Sequence, residues 1–421
     1  MSPVIARQLQ QTFRALSVPA YRIFATGQLL GTLGFWLQTT AVNWLVLELT
    51  GDSGSALGLS LAIQFGPYLF FSLQGGKIAD AVDKRLILMA CSLASAAVAG
   101  VLAVVVLAGS AEVWMVYLAV FVFGCVSVLE GPARQAFYSE IVEPEALPNA
   151  VSLGSAIFNV SRIAGPAIAG LLIAVTSTGT VLALNAAAFL GPAAACIVLL
   201  RRKLSNPVKR SAGTEGGIRE SLRYVAGRPD LLGVLIVTLF VGGFAFNFPV
   251  TLSLLAKTEF ATGADTFGLL LTALAVGALA GALASGRRSG RPGVYTVLGA
   301  GMALGITTTV VGFAPNLTTA MILLVPTGFA MVYFAQAANQ RVQMGAPGDF
   351  RGRILSLYLL VFLGSTAIFA PLVGWVCEEF GARSGLWLGG VVAILATTAA
   401  WLGKRARLRR QLAVLPGKAM P

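Results

Sequence analysis

The 421-residue chain contains no histidine, and charged residues make up only 11% of it. The first absence removes imidazole metal ligands and the one side chain that ordinarily titrates near neutrality. The second excludes a water-soluble domain, in which about 25% of residues carry charge. Acids are scarcer than bases, 17 against 30, for a net charge of +13. Such a balance suits nucleic acid at first sight. In a membrane protein, however, basic residues gather on one side whatever the function, so no nucleic-acid partner is expected. The four cysteines, Cys91, Cys125, Cys196 and Cys377, lie far apart in apolar runs. They have neither ligand spacing nor the look of a disulfide framework, and buried bulk is their expected role. A phosphate loop of the type Gly-x-x-x-x-Gly-Lys-Ser/Thr is missing, which speaks against ATP drive. An enzyme would need a cluster of His, Cys or paired carboxylates, and the sequence offers none. Neither a cofactor nor a metal is therefore expected.

What the chain has in abundance is apolar length: 57% hydrophobic residues, a mean hydropathy of +0.82 and 48 glycines. A bilayer-spanning helix needs about 20 apolar residues, and glycine is common in such helices. Twelve segments qualify: 22–47, 54–78, 86–109, 113–134, 151–174 and 180–200, then 231–256, 265–286, 293–313, 317–339, 354–376 and 384–403. Runs this long and continuous read as helices, since barrel strands would be about ten residues of alternating pattern. The polar start leads directly into the first span, so that span is expected to direct insertion, with no cleaved leader.

If the N-terminus is placed in the cytoplasm and the spans alternate, all but two of the 30 Lys and Arg residues fall on the cytoplasmic side. Lys257 and Arg383 are the exceptions. Both termini are thus expected in the cytoplasm of a multi-pass inner-membrane protein.

The longest connection divides the chain into an N-terminal six-helix bundle (1–200), a linker (201–230), a C-terminal six-helix bundle (231–403) and a basic tail (404–421). Within the linker, Ile218, Leu222 and Val225 oppose Arg219 and Arg223. That pattern fits a helix on the membrane surface, or equally a basic flexible linker. The halves look like repeats. Arg341 follows Arg134 by 207 residues, and Pro371, in Ala370-Pro371-Leu372-Val373-Gly374, follows Pro166, in Gly165-Pro166-Ala167-Ile168-Ala169-Gly170, by 205. Two parallel halves with sites near the midplane between them form a transporter arrangement.

Between the second and third spans runs Gly75-Gly76-Lys77-Ile78-Ala79-Asp80-Ala81-Val82-Asp83-Lys84-Arg85, with a weaker echo at Gly281–Arg288. Together with Gly165, Pro166 and Gly170 it resembles the motifs of the major facilitator superfamily, the fifth-span motif being typical of its antiporters. Pro132-Ala133-Arg134-Gln135-Ala136, Leu147-Pro148-Asn149-Ala150, Asn159, Arg162–Pro166 and Arg351-Gly352-Arg353 are similar to the branch that holds enterobactin-type siderophore exporters and macrolide efflux proteins. Ala81 and Asp83 depart from the pattern, in which Arg and Gly are common at those places.

The resemblance implies an all-α membrane protein of two six-helix bundles rocking about a central cavity. It also implies proton-coupled efflux of a hydrophobic or amphipathic small molecule, by a chain expected to act as a monomer. Metabolite uptake is the rival within transport, and a non-transporting sensor or scaffold the rival outside it. In the motif, to which Gly76 belongs, Asp80 would latch to the start of the eleventh helix near Gly352-Arg353, where the helix dipole favours a carboxylate. Lys84 and Arg85 would hold further carboxylates or lipid phosphates.

Glu130 stands inside the fourth span, where an ionisable residue is a functional candidate by default. It is either a proton carrier or a gate residue paired with Arg134, Lys84 or Arg162. Arg162, one turn from Asn159, would bind Glu130 or an anionic part of a substrate. Polar and aromatic residues within apolar runs are the cavity candidates: Gln28, Trp36, Gln38, Asn43 and Trp44 in the first span and Gln64 in the second. Phe244, Asn247 and Phe248 in the seventh and Tyr333, Gln336 and Asn339 in the tenth join them. By family architecture, spans one, four, seven and ten would line the cavity.

Overall fold

The computed structural model describes residues 14–202, 223–288, 290–346 and 351–414; the side chains of 14, 73, 76, 77, 79, 80, 351–353 and 407–414 fall outside that description. Among the described residues the chain is helical and has no strand. The first six spans are Pro19–Thr50, Gly54–Ala81, Lys84–Leu107, Val113–Ile141, Leu147–Val175 and Thr178–Leu200. The seventh is broken into Pro229–Ala245 and Phe248–Leu254, ending in a π-helical turn at Leu255–Glu259. Ala264–Gly286, Val294–Val311, Leu317–Met344, Arg351–Phe380 and Ala382–Val414 complete the set.

Eleven of these are long and apolar enough to cross a membrane on composition alone. The first, at 32 residues, is diluted by groups such as Gln28, Gln38, Asn43 and Glu48, yet it packs against the fifth and sixth spans as an integral member of the bundle. The result is a twelve-span, all-α membrane protein.

Several helices outrun their apolar segments. The fourth continues to Ile141 and the tenth to Met344, so Arg134, at the expected end of its span, and Arg341, beyond it, both lie within helices. A helix that leaves the bilayer no longer needs apolar residues, so hydropathy stops before the hydrogen bonds do. The twelfth runs on through the basic residues of the expected tail as far as Val414.

The break in the seventh span is the opposite case, an interruption that hydropathy hides. Pro249 lacks an N–H and would clash with the preceding turn, so the helix restarts with proline in its first turn. The amide of Asn247 donates to the carbonyl of Gly243 at 2.6 Å, satisfying an acceptor near the break.

Packing within the halves follows one plan. In the first, span one meets five and six, four meets two and three, and three meets six. In the second, seven meets eleven and twelve, ten meets eight and nine, and nine meets twelve. Each contact repeats with six added to both numbers, which is a parallel duplication. The halves touch mainly where the second span crosses the eleventh and the fifth crosses the eighth.

Both crossings approach at backbone distance near the end opposite the basic residues. A Cβ on Gly54 would overlap the carbonyl of Gly374, and one on Gly58 that of Ala370. At the other crossing a Cβ on Gly170 would overlap the carbonyl of Ala264, and one on Gly268 that of Pro166. Small residues permit such approach where lipid supplies no hydrophobic drive for association. Gly165-Pro166 of the fifth span and Ala370-Pro371 of the eleventh thus occupy equivalent places in two related contacts.

Candidate functional site

A cavity of about 460 Å³ lies inside the molecule, walled by the first six spans and by Phe362 and Leu363 of the eleventh. Its size falls within the range of small-molecule pockets. Phe35, Trp36, Phe65, Tyr68, Phe123, Phe158, Phe189 and Phe362 give it aromatic walls. Gln38, Asn43, Gln64, Thr32, Thr39, Ser92, Ser95 and Ser127 add amides and hydroxyls. Its charged lining residues are Glu130 and Arg134, joined at 2.9 Å across one helical turn. Placing acid and base four apart on one helix brings them together, so the pair adds no net charge to the wall.

Many of the polar groups are already engaged. Asn185 donates to Gln38 Oε1 at 2.6 Å, tying the sixth span to the first. Asn43 donates to the Thr39 carbonyl of its own helix. Buried amides with such partners cost little, whereas unpaired ones cost about 1–3 kcal/mol each.

Of the first-half cavity candidates, Trp36, Gln38, Asn43 and Gln64 are in the wall. Gln28 is buried nearer the basic end, where it accepts a hydrogen bond from Tyr138 at 2.9 Å. The second-half candidates lie outside the wall. Phe244 packs on Phe369 with ring centroids 4.5 Å apart, and Asn247 is turned onto its own helix. Tyr333 stacks on Phe329 and lies beneath Arg288, 4.4 Å from ring centroid to guanidinium carbon. Gln336 is exposed, and Asn339 accepts from Gln343. The seventh and tenth spans contribute nothing to the described wall, contrary to the family expectation. The second, third, fifth, sixth and eleventh spans do contribute.

The charged motif is wired locally. Asp83 caps the third helix by accepting from the N–H of Arg85, and its carboxylate also holds the Arg85 guanidinium at 2.7 Å. Arg85 donates further to the carbonyl of Leu199. Lys84 pairs at 3.3 Å with Glu140, both side chains being under 10% exposed (7% and 8%). Glu140 escapes a hydropathy reading because it lies beyond the apolar part of the fourth span. The side chains of Asp80 and Arg353, on which the latch depends, fall outside the described residues, as do the surroundings of Gly76 and Gly352 and most of the linker residues with the amphipathic pattern.

Glu130 takes Arg134 as its partner rather than Lys84 or Arg162. Arg162 lies over the face of Trp36, 6.0 Å from the ring centroid, and its Nη2 is buried without a hydrogen-bond partner. Gly165, one turn on, leaves room for Trp36, whose Cβ would overlap a side chain there. Among the described residues Asn159 donates to its own helix, at the carbonyl of Ser155.

At the end opposite the basic residues the halves are joined by polar contacts that the sequence does not announce. Lys257 is ion-paired with Asp52 and sits 5.2 Å from the Trp44 ring centroid. Trp44 in turn stacks on Phe267 across the interface. Glu378 accepts from the hydroxyl of Ser53 and from the N–H of Ser55, the latter at 2.8 Å. Arg383 is held by Glu259 at 2.9 Å. The two basic residues that lie apart from all the others are thus both in ion pairs.

A duplicated twelve-span bundle with a cavity between its helices, closed at one end, is the architecture of a secondary transporter. Residues 10–419 match the model of a family described as transmembrane secretion effectors. The chain belongs to that family, a branch of the major facilitator superfamily, whose members are transporters and not enzymes. It is 32% identical over 360 residues to the multidrug efflux pump Tap of Mycolicibacterium fortuitum, covering 82% of this chain and 84% of that one. It is 26% identical over 259 residues to the staphyloferrin A transporter of Staphylococcus aureus, covering 61% and 64% of the two chains. Among solved structures, a bacterial homologue of the human lysosomal transporter Spinster superposes with a TM-score of 0.72 at 14% identity, over 93% of this chain and 98% of that one.

Proposed function

We propose that the protein exports an amphipathic, largely apolar compound, of the drug or siderophore kind, across the inner membrane by alternating access. The observation that carries this reading is the cavity itself. Its walls are aromatic, its polar groups are mostly neutral, and its charge is an internally balanced pair. A small hydrophilic ion would find little there to replace its hydration. The names of its relatives, a multidrug efflux pump and a siderophore transporter, agree with export of such compounds.

In this reading the basic face is cytoplasmic, and both termini lie there. The cavity wall extends toward that face through Glu130 and Arg134, while the glycine crossings and the Asp52–Lys257 pair close the outer side. Rocking of one half against the other opens these contacts and closes the inner ones, among which the proposed Asp80 latch belongs. Export is driven by inward proton movement, and the working unit is a monomer.

Purified protein in liposomes, given imposed pH gradients and a panel of amphipathic compounds, tests the whole reading. Gradient-dependent flux of at least one compound is expected. Flux of an identified compound that ignores the gradient would refute proton coupling, and uptake of a polar metabolite in its place would reverse the direction.

A further inference from the structure

Among the described residues, Arg162 is a cation without a counter-charge in the middle of a membrane protein. It belongs to the 29-residue span Leu147–Val175, well inside both ends of the helix. A charge at that depth costs several kcal/mol unless paired, and a guanidinium does not escape the cost by giving up its proton. Acids that might neutralise it are committed elsewhere: Glu130 to Arg134, Glu140 to Lys84, Asp83 to Arg85 and Asp52 to Lys257. Its described neighbour is the face of Trp36, a weak substitute for an anion.

Two buried groups at this place have no hydrogen-bond partner among the described residues, Arg162 Nη2 and Trp36 Nε1. Both are donors only. Orphaned donors on two side chains that lie against each other call for an acceptor, and a guanidinium calls for one that carries negative charge. Trp36 belongs to the cavity wall, as does Phe158, one turn before Arg162 on the same helix face. Arg162 is outside that lining but lies against the ring of Trp36, so the unpaired donors stand within one side chain of the cavity.

We propose that Arg162 and the indole N–H of Trp36 form an oxyanion subsite at the edge of the cavity, so that the exported compound carries a carboxylate, sulfonate or phosphate-type group on an apolar body. This rests on the export reading and narrows it. The aromatic wall takes the body of the compound. The guanidinium takes the anion by charge-assisted hydrogen bonds, which are about twice as strong as neutral ones. Bound substrate would supply the counter-charge that the helices withhold, so a carrier without cargo is the costlier species.

Two fluorescent probes that share an aromatic body test it: anilinonaphthalene sulfonate, which is anionic, and N-phenylnaphthylamine, which is neutral. Their binding to the full chain in zwitterionic nanodiscs is measured with empty nanodiscs subtracted. Arg162→Gln is expected to weaken the sulfonate probe by about tenfold or more and the neutral probe by less than about twofold. Arg162→Lys should retain most of the sulfonate affinity, which a merely structural role would not predict. Trp36→Phe, which keeps a ring but loses the N–H, should weaken the sulfonate more than the neutral probe, which feels only the smaller ring. If Arg162→Gln alters neither probe, or alters both alike, the subsite is overturned and the export reading stands. If the wild-type chain binds the sulfonate no better than empty nanodiscs do, the subsite is overturned, while the export reading is decided by the flux measurement.

Discussion

Lys257 and Asp52 form an ion pair between the two halves, at the end of the molecule where basic residues are otherwise nearly absent. Lys257 belongs to the π-helical end of the seventh span, and Asp52 to the turn between the first and second, where its backbone takes a positive φ of 69°. An outward opening of the cavity must separate them.

Asp52→Asn should therefore favour the outward-open state. Partly exposed pairs are worth about 1 kcal/mol or less, and 1.4 kcal/mol is about tenfold in a population, so a shift of a few-fold is expected. Spin-label distances across the outer end would report it. The exchanged pair, Asp52→Lys with Lys257→Asp, should return the distribution toward that of the wild type.

Gly170→Val places a side chain where the backbone of Ala264 now lies. Transport should drop by about tenfold or more, because the outer contact no longer closes, while insertion and yield persist. Gly66 is the control, because a Cβ there would meet nothing within 4 Å, and Gly66→Ala should transport normally. Equal loss in both variants would mean that glycine serves these helices only by its flexibility.

Lys84→Met strands the buried carboxylate of Glu140. Breaking a buried pair from one side costs about 3–5 kcal/mol, so thermal unfolding in detergent should shift clearly downward. The double variant Lys84→Met with Glu140→Leu should recover most of the loss. Failure to recover would assign the lysine some other partner.

Glu130→Gln separates the two readings of that acid. With Arg134 held at 2.9 Å in the same helix, the gate reading is the one the geometry favours. Turnover should fall several-fold while the ratio of flux with and without a pH gradient stays unchanged. Loss of that ratio would make Glu130 the proton carrier.

The spans were legible because each is a long apolar run, and the duplication because Pro166 and Pro371 sit at matching places. Partnerships were not. Lys84 and Glu140 are 56 residues apart, and Asp52 and Lys257 are 205 apart; only the crossing of helices brings each pair together. Glu140 also lies past the apolar part of its helix, so nothing in its neighbourhood sets it apart from a surface acid. The cavity was legible on one side only. Trp36, Gln38, Asn43 and Gln64 face it, but a polar residue in an apolar helix looks the same in sequence whether it faces a cavity or, like Asn247, its own backbone.

The two glycine crossings have a consequence for how such a protein can be altered. They join main chain to main chain, so their spacing is set by atoms that every amino acid shares. The cavity wall is drawn from different surfaces of the bundle, and its character comes from side chains such as Trp36, Phe65 and Phe123. Closure and selectivity are therefore separable properties. The lining can be rewritten for a new cargo, one side chain at a time, without retuning the stroke that carries it.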